Sequence, residues 1–265
     1  MAAADFITLS PMDIPGLGKP LSEVDIGLSR ITYNGLPDIE TQVQLQREHT
    51  EHIKALLAII DRHSVGHFFG IHSAHRHGVL PNATVRLEED MGINGITWNR
   101  ATDIHNLNTR DIHATFFKVN EAGLVPFEFA AGPSPVAGKE IPSEFLSEFA
   151  TYVKDKELTG LVSLEVGNFS AGQVKTAELE IQWGDKELFT VTMPVPALVN
   201  AGMELVPTRW NLSPRDAGNK PDPGTHWAKV TKPVNTHRVF FDSTESVTPE
   251  LLFVKLTEMG LILKA

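Results

Sequence analysis

The chain has 265 residues, of which 42% are apolar, and a formal net charge of −10. This composition suits a globular protein with its own core, excludes a largely disordered one and disfavours general binding to phosphate backbones. Cysteine is absent, which excludes disulfides and thiolate chemistry, and the lack of a signal peptide or long apolar run predicts a cytoplasmic protein with no membrane contact.

The N-terminal third of the chain is predicted to contain an irregular segment, a helix and two strands, in that order. Residues 1–40 are rich in proline and glycine, which predicts an irregular lead-in packed on the rest of the protein. Residues 38–63 carry apolar side chains at helical spacing, and Gly66 follows as a stop signal. Residues 67–77 are predicted to form a strand, which a Pro-Asn turn joins to a second strand over 83–88.

The rest of the chain alternates between predicted loops and regular elements. Residues 90–111 are predicted to be a loop, and residues 112–129 a hairpin. Residues 196–224 are again predicted to be irregular. The remaining predicted elements are a helix over 143–156, strands over 161–166, 177–183, 188–195 and 237–241, and a final helix capped by Thr248.

Strand pairs joined by short turns, with helices at intervals, indicate an α+β fold with a mostly antiparallel sheet and a few packing helices. We expect a single domain over residues 1–265, with a lobe boundary at the Pro/Gly-rich link 132–138 as the alternative. The motifs of common nucleotide-dependent enzymes, serine hydrolases and zincins do not occur in the sequence, which disfavours those chemistries.

Histidines are concentrated in the predicted strand over 67–77. Because side chains alternate along a strand, His75 and His77 are predicted to share one face, while His72 and Arg76 point to the other. Two imidazoles at this spacing suit one metal ion, and the predicted turn places Glu88 opposite His75 as a third ligand. The candidate ligands for a divalent metal are therefore His75, His77 and Glu88. The alternative is a set of partly buried histidines bonded to backbone carbonyl groups.

The predicted hairpin brings a second pair of ionisable residues together. With its turn at 120–123, Thr115 opposes Glu128, and Glu128 lies diagonal to His113. A carboxylate beside an imidazole raises its pKa and orients its tautomer for acid–base work. The alternative is a polar pair on an edge strand. The predicted catalytic residues are His75, His77, Arg76, His113 and Glu128.

Aromatic and arginine residues in loops are candidates for substrate contacts. Trp98 and Arg100 lie in the segment predicted to be irregular, and loops of this composition often line ligand pockets. Arginine can grip a carboxylate or phosphate with two parallel hydrogen bonds. We expect His72, Trp98 and Arg100 to bind substrate, with ordinary loop anchoring as the alternative for the last two.

The block Phe-Gly-Ile-His-Ser-Ala-His-Arg-His at 69–77, followed later by Pro-Phe-Glu at 126–128, resembles a motif in an uncharacterised family of filamentous-fungal proteins. Those proteins tend to have an aliphatic pair where this chain has Ser73 and Ala74, and the resemblance covers residues 55–130. It implies a fungal origin and a role near secondary metabolism, and it carries over no catalytic residue.

Three functions follow from these observations. The first is a small-molecule enzyme that uses the face of His75 and His77, with or without a divalent metal. The second is an aminoacyl-tRNA-dependent cyclodipeptide-type synthase, implied by the fungal resemblance but disfavoured by the acidic net charge. The third is a non-catalytic ligand-binding or scaffold protein in which the histidines are structural.

Overall fold

The computed structural model describes residues 7–39, 41–42, 49–93, 95–121, 123–169, 176–184, 187–198, 204–212, 226–230 and 238–263. These residues form four α-helices and one sheet of eleven strands. Most strand pairs are antiparallel, and the exceptions are β2–β5, β7–β10 and β7–β11 in the numbering below. This architecture is consistent with the predicted α+β class.

The helices are α1 (Glu23–Asn34), α2 (Thr50–Arg62), α3 (Ser143–Asp155) and α4 (Pro249–Glu258). The strands are β1 (Phe69–Ser73), β2 (Thr84–Ile93), β3 (Ile96–Asp103), β4 (Ile112–Asn120), β5 (Gly123–Ala131), β6 (Val162–Val166), β7 (Thr176–Trp183), β8 (Glu187–Pro194), β9 (Glu204–Trp210), β10 (His226–Val230) and β11 (Arg238–Phe241). No helix in the described part of the chain is both long and apolar enough to cross a membrane.

The sheet closes on itself. Its strand order is β10-β9-β1-β6-β4-β5-β2-β3-β8-β7-β11, and β10 also pairs with β7. This extra pairing joins the two ends into a ring of ten strands, from which β11 extends beside β7. Because the side chains of a strand alternate between its faces, a strand of the ring has one face toward the outside and one toward the interior.

The outer face of the ring carries the apolar cores. The amphipathic helices α2 and α3 cover strands β1, β4 and β6 with a continuous buried cluster. The helix α4 covers β3, β7 and β8 with a second cluster. A smaller cluster beneath α1 includes Tyr33, Phe116 and Phe127, and its Phe116 lies on the inner face, opposite Glu128 and Glu165. The hydrophobic stabilisation of the fold therefore comes largely from outside the ring.

Many sequence-predicted elements are found, with shifts at their ends. The strands at 161–166, 177–183 and 188–195 are found as β6, β7 and β8, and the helix at 143–156 is α3. The hairpin of β4 and β5 and the final helix α4, capped by the Thr248 side chain, are also confirmed. The predicted strand at 237–241 corresponds to β11.

Three segments that were predicted to be irregular contain regular elements. Residues 1–40 contain the helix α1. Its capping box at Ser22 and Asp25 was overlooked because the surrounding sequence is rich in proline and glycine. Residues 90–111 are not a loop, because β2 runs to Ile93 and β3 follows almost at once. Strand β9 lies inside the segment 196–224 that was predicted to be irregular. Residues 213–225 of that segment lie outside the described part of the chain.

Candidate metal centre

The interior of the ring is polar. The registers place Arg209 opposite His72 on β9 and β1, and Thr190 opposite both Asn99 and Glu180 on β8, β3 and β7. These side chains alternate with the apolar residues of the outer face, so each strand presents its polar side inward. The inward-facing charged residues include Arg86, Glu88, Glu128, Glu165, Glu178, Glu180 and Arg209.

His75 and His77 meet Glu178 inside the ring. The three residues are buried, and one ligand atom from each lies within 4.8 Å of the others. His77 Nε2 lies 3.5 Å from Glu178 Oε1. Two ligands that bind one tetrahedral zinc ion at about 2.0–2.2 Å are separated by about 3.4 Å. The spacing of this pair therefore already matches that of two ligands to one ion.

A backbone contact sets the tautomer of His75. Its Nδ1 lies 2.8 Å from the carbonyl oxygen of Ser73, to which only a protonated nitrogen can donate. The lone pair of the neutral ring is then on Nε2. A hydrogen bond from the second ring nitrogen to a carbonyl oxygen is the usual support of a metal-bound histidine.

His77 is held from three sides. Its backbone N–H donates to the Tyr33 hydroxyl at 2.8 Å, which ties the segment after β1 to α1. Its Nδ1 lies 3.7 Å from Glu180 Oε2, on the side of the ring away from Glu178. Burial alone lowers the pKa of His77, but Glu178 and Glu180 together outweigh burial and raise it. A cation at this position is therefore favoured by the surrounding charge.

Carboxylates outnumber guanidinium groups inside the ring. Burial raises the pKa of Glu128 to about 7, against the opposing charges of Arg86 and His77. Burial likewise raises the pKa of Glu165 to about 7, although Arg209 Nε lies 2.8 Å from its Oε1. Desolvated carboxylates in this number disfavour the ionised state of one another. A divalent cation would relieve that repulsion.

A pocket connects this interior with the surface. Its volume is about 340 Å³, and its lining includes His77, Arg86 and Arg100. His77 is thus shared between the buried cluster and the pocket. A small molecule in the pocket would lie beside His77, one of the three members of the cluster.

The structure corrects the geometry from which the metal site was predicted. Strand β1 ends at Ser73, so His75 and His77 lie in the irregular segment that follows it. Strand β1 pairs with β6 and β9 rather than with β2, so Glu88 does not oppose His75. The third member of the cluster is Glu178, which is distant in sequence.

His72 and Arg76 do not share a face, contrary to the alternation expected of a strand. The ring of His72 stacks on that of His75 with centroids 5.1 Å apart, so His72 lies beside the candidate metal centre. Arg76 instead donates to the backbone carbonyl of Asn34 at the end of α1. The role of Arg76 that the contacts support is to anchor that helix.

The predicted pairing of His113 with Glu128 is wrong. Bulges in the hairpin place Glu128 opposite Phe116, and His113 pairs with Ala130. His113 Nδ1 bonds to the carbonyl oxygen of Gly132 at 2.9 Å. Glu128 faces the ring interior instead, where its Oε2 accepts a hydrogen bond from Asn99 at 2.9 Å.

Trp98 and Arg100 lie on β3 rather than in a loop. Trp98 is buried in the outer core beneath α4, so it is a packing residue. The Arg100 guanidinium stacks over its ring at 4.5 Å and lies 3.2 Å from Glu89 Oε2. Arg100 also lines the pocket.

Sequence reasoning missed Glu178, Glu180 and Arg86. All three lie in strands and are flanked in sequence by apolar residues. Leu179, for example, separates Glu178 from Glu180, and Ile181 follows Glu180. A charged residue alternating with large apolar ones usually faces solvent, which is why the pattern was not assigned to a site. In a closed sheet the helices take the apolar face, and the charged face points inward.

Similarity to known proteins does not identify the role of this cluster. Comparisons of the chain with protein-family models, with curated proteins and with solved structures find no match.

Proposed function

We propose that the protein is a metal-dependent enzyme that acts on a small molecule. His75, His77 and Glu178 hold a divalent first-row metal ion inside the closed sheet. The observation that carries the proposal is the convergence of the three buried ligand groups within 4.8 Å. Buried charged groups in proteins are paired with one another or coordinate metal ions, and two imidazoles with one carboxylate are a known metal-ligand set.

Two histidines and one carboxylate leave coordination positions open. This ligand set occurs in catalytic zinc sites, where water fills the remaining position, and in non-haem iron sites. Closed structural zinc sites instead use four protein ligands. In an open site the metal polarises a substrate oxygen or lowers the pKa of a bound water.

Glu128 is suited to a second role in the same interior. Its pKa of about 7 lies close to neutral pH, where an acid–base group works best. The charges of His77 and Arg86 act on it, so it belongs to the same electrostatic environment as the metal ligands. We assign Glu128 as the acid–base residue of the reaction.

The first test is metal analysis by plasma mass spectrometry, with competition against a chromophoric chelator for Zn²⁺, Fe²⁺ and Mn²⁺. We expect about one ion per chain in the wild type and loss of high-affinity binding in the His75→Ala/His77→Ala and Glu178→Gln variants. Glu180→Gln removes only the carboxylate behind His77, so its affinity falls by about 10–100-fold.

The control is His105→Ala, which removes an exposed histidine outside the cluster and leaves metal binding unchanged. Wild-type protein that takes up no ion at micromolar concentrations would overturn the proposal. So would an ion that remains bound in the double histidine variant.

A second test separates a catalytic site from a structural one. In the Co²⁺-loaded protein, added azide is expected to change the visible spectrum because it enters an open coordination position. An unchanged spectrum would mean that the protein closes the coordination sphere, and the enzymatic role would be abandoned.

A further inference from the structure

The pocket beside His77 combines cationic groups with an apolar wall. Its volume of about 340 Å³ lies at the lower end of the range for ligand sites, which is roughly 300–1,000 Å³. His77 and Arg86 are its buried polar groups, Arg100 adds a second guanidinium, and the exposed Glu187 places one carboxylate in the lining. The apolar lining consists of Val79, Leu80, Pro81, Leu188 and Phe189.

Arg86 is the most unusual residue of this pocket. Its side chain is only 1% exposed and is among the largest fully buried side chains described. It donates to two neutral acceptors, the carbonyl oxygen of Leu188 at 3.3 Å and the Thr190 hydroxyl at 3.1 Å. Its buried Nε–H has no hydrogen-bond partner among the described residues. A buried charged donor without an acceptor destabilises the folded state, because its desolvation is not compensated by a hydrogen bond.

A carboxylate would satisfy this donor. Guanidinium groups bind carboxylates with parallel, charge-assisted hydrogen bonds that are stronger than those to neutral acceptors. Glu128 lies opposite Arg86 in the sheet register and accepts from Asn99 through its Oε2, but no hydrogen bond joins Glu128 to Arg86 among the described residues. The polar lining thus favours an anionic head group, and the apolar wall favours a hydrocarbon body.

We infer that the pocket binds a small organic acid whose carboxylate contacts Arg86 and whose chain or ring packs against Leu80, Leu188 and Phe189. The assignment of this acid as the substrate rests on the proposed function, since His77 links the pocket to the metal centre. Binding of the acid to Arg86 does not depend on the metal.

The test uses octanoate and 3-phenylpropanoate as probes, each compared with its neutral amide by calorimetry in metal-free and in Zn²⁺-loaded protein. We expect the acids to bind at least about tenfold more tightly than the amides in both forms, which is the smaller end of the effect of charge-assisted hydrogen bonds. Equal affinities of acids and amides would overturn the inference, even where the metal binds as proposed.

Substitutions at residues of the pocket test whether the acids bind there. Arg86→Gln is expected to abolish the preference for acids over amides. Because that side chain is buried, Ala101→Trp provides an independent test, since Ala101 is exposed but lines the pocket. The tryptophan should fill the pocket and abolish binding of the acids, whereas Ala137→Trp, at an exposed alanine elsewhere, should leave it intact. Acid binding that survives Ala101→Trp would place the ligand elsewhere and overturn the inference.

Discussion

Glu165 shows how burial and charge compete at single residues of this interior. It lies on β6 and faces Arg209, Glu88 and Glu128. Arg209 favours its ionised form, but burial and the two other carboxylates favour the neutral form and prevail. A carboxyl group that contacts an arginine therefore has a raised pKa rather than the lowered one expected at a protein surface.

This balance predicts an unusual dependence of stability on pH. The pKa of Glu165 is about 7 in the folded protein and near 4.5 in the unfolded chain. Between these values the folded protein keeps a proton that the unfolded chain has lost, so raising the pH favours unfolding. We expect the unfolding free energy of the metal-free protein to fall by about 2 kcal/mol from pH 5 to 7.5 through this group.

Urea unfolding at several pH values measures the effect. Glu165→Gln cannot lose a proton, so its unfolding free energy should depend less steeply on pH than that of the wild type. Glu144→Gln, at an exposed position of α3, should keep the wild-type slope. Identical slopes in wild type and Glu165→Gln would show that the carboxyl group of Glu165 ionises normally in the folded protein.

At the scale of elements, α1 links local sequence to the site. The Ser22 side chain accepts from the backbone N–H of Asp25, and the Asp25 carboxylate accepts from that of Ser22. This capping box begins a helix whose last turn carries Tyr33, the hydrogen-bond partner of the His77 backbone. The start of the helix therefore contributes to the position of a proposed metal ligand.

Ser22→Ala removes the cap. We expect a loss of about 1 kcal/mol in unfolding free energy, because the first-turn N–H group that Ser22 caps then lacks its acceptor. Amide exchange within α1 should accelerate more than exchange in α3. Ser246→Ala, at an exposed position with no capping role, serves as the comparison. Unchanged exchange in α1 would mean that packing of Tyr33 alone holds the helix.

At the scale of the molecule, strands from the two sides of residues 132–138 interleave. Strand β6 lies between β1 and β4, and β8 pairs with β3. Separating the chain at this link would remove both neighbours of β1 and both neighbours of β6. The pairs β1–β6, β4–β6 and β3–β8, which join strands from the two sides of the link, would be lost.

We therefore predict that fragments 1–135 and 136–265 do not fold separately. Each fragment should lack cooperative thermal unfolding and near-ultraviolet circular dichroism, and mixing the two should restore both signals. Cooperative unfolding of either fragment alone would instead establish two lobes that meet at the link.

The sequence by itself determined the local elements with strong periodicity. The stripe of Phe145, Phe149 and Val153 predicted α3, and the alternation of Leu179 and Ile181 predicted β7. The sequence also pointed to His75 and His77, although it placed them on a strand, and β1 ends at Ser73. These features depend on contacts within one element, so local pattern is sufficient to find them.

Only the tertiary structure decided which residues complete the site. Glu178 lies about a hundred residues after His77, and closure of the sheet through β7 and β10 turns it toward the histidines. Glu88 was excluded from the cluster by the pairing of β1 with β6 and β9, which no local pattern encodes. The physical reason is that strand pairing is set by long-range packing, and the alternation of a strand does not say which of its faces is inside.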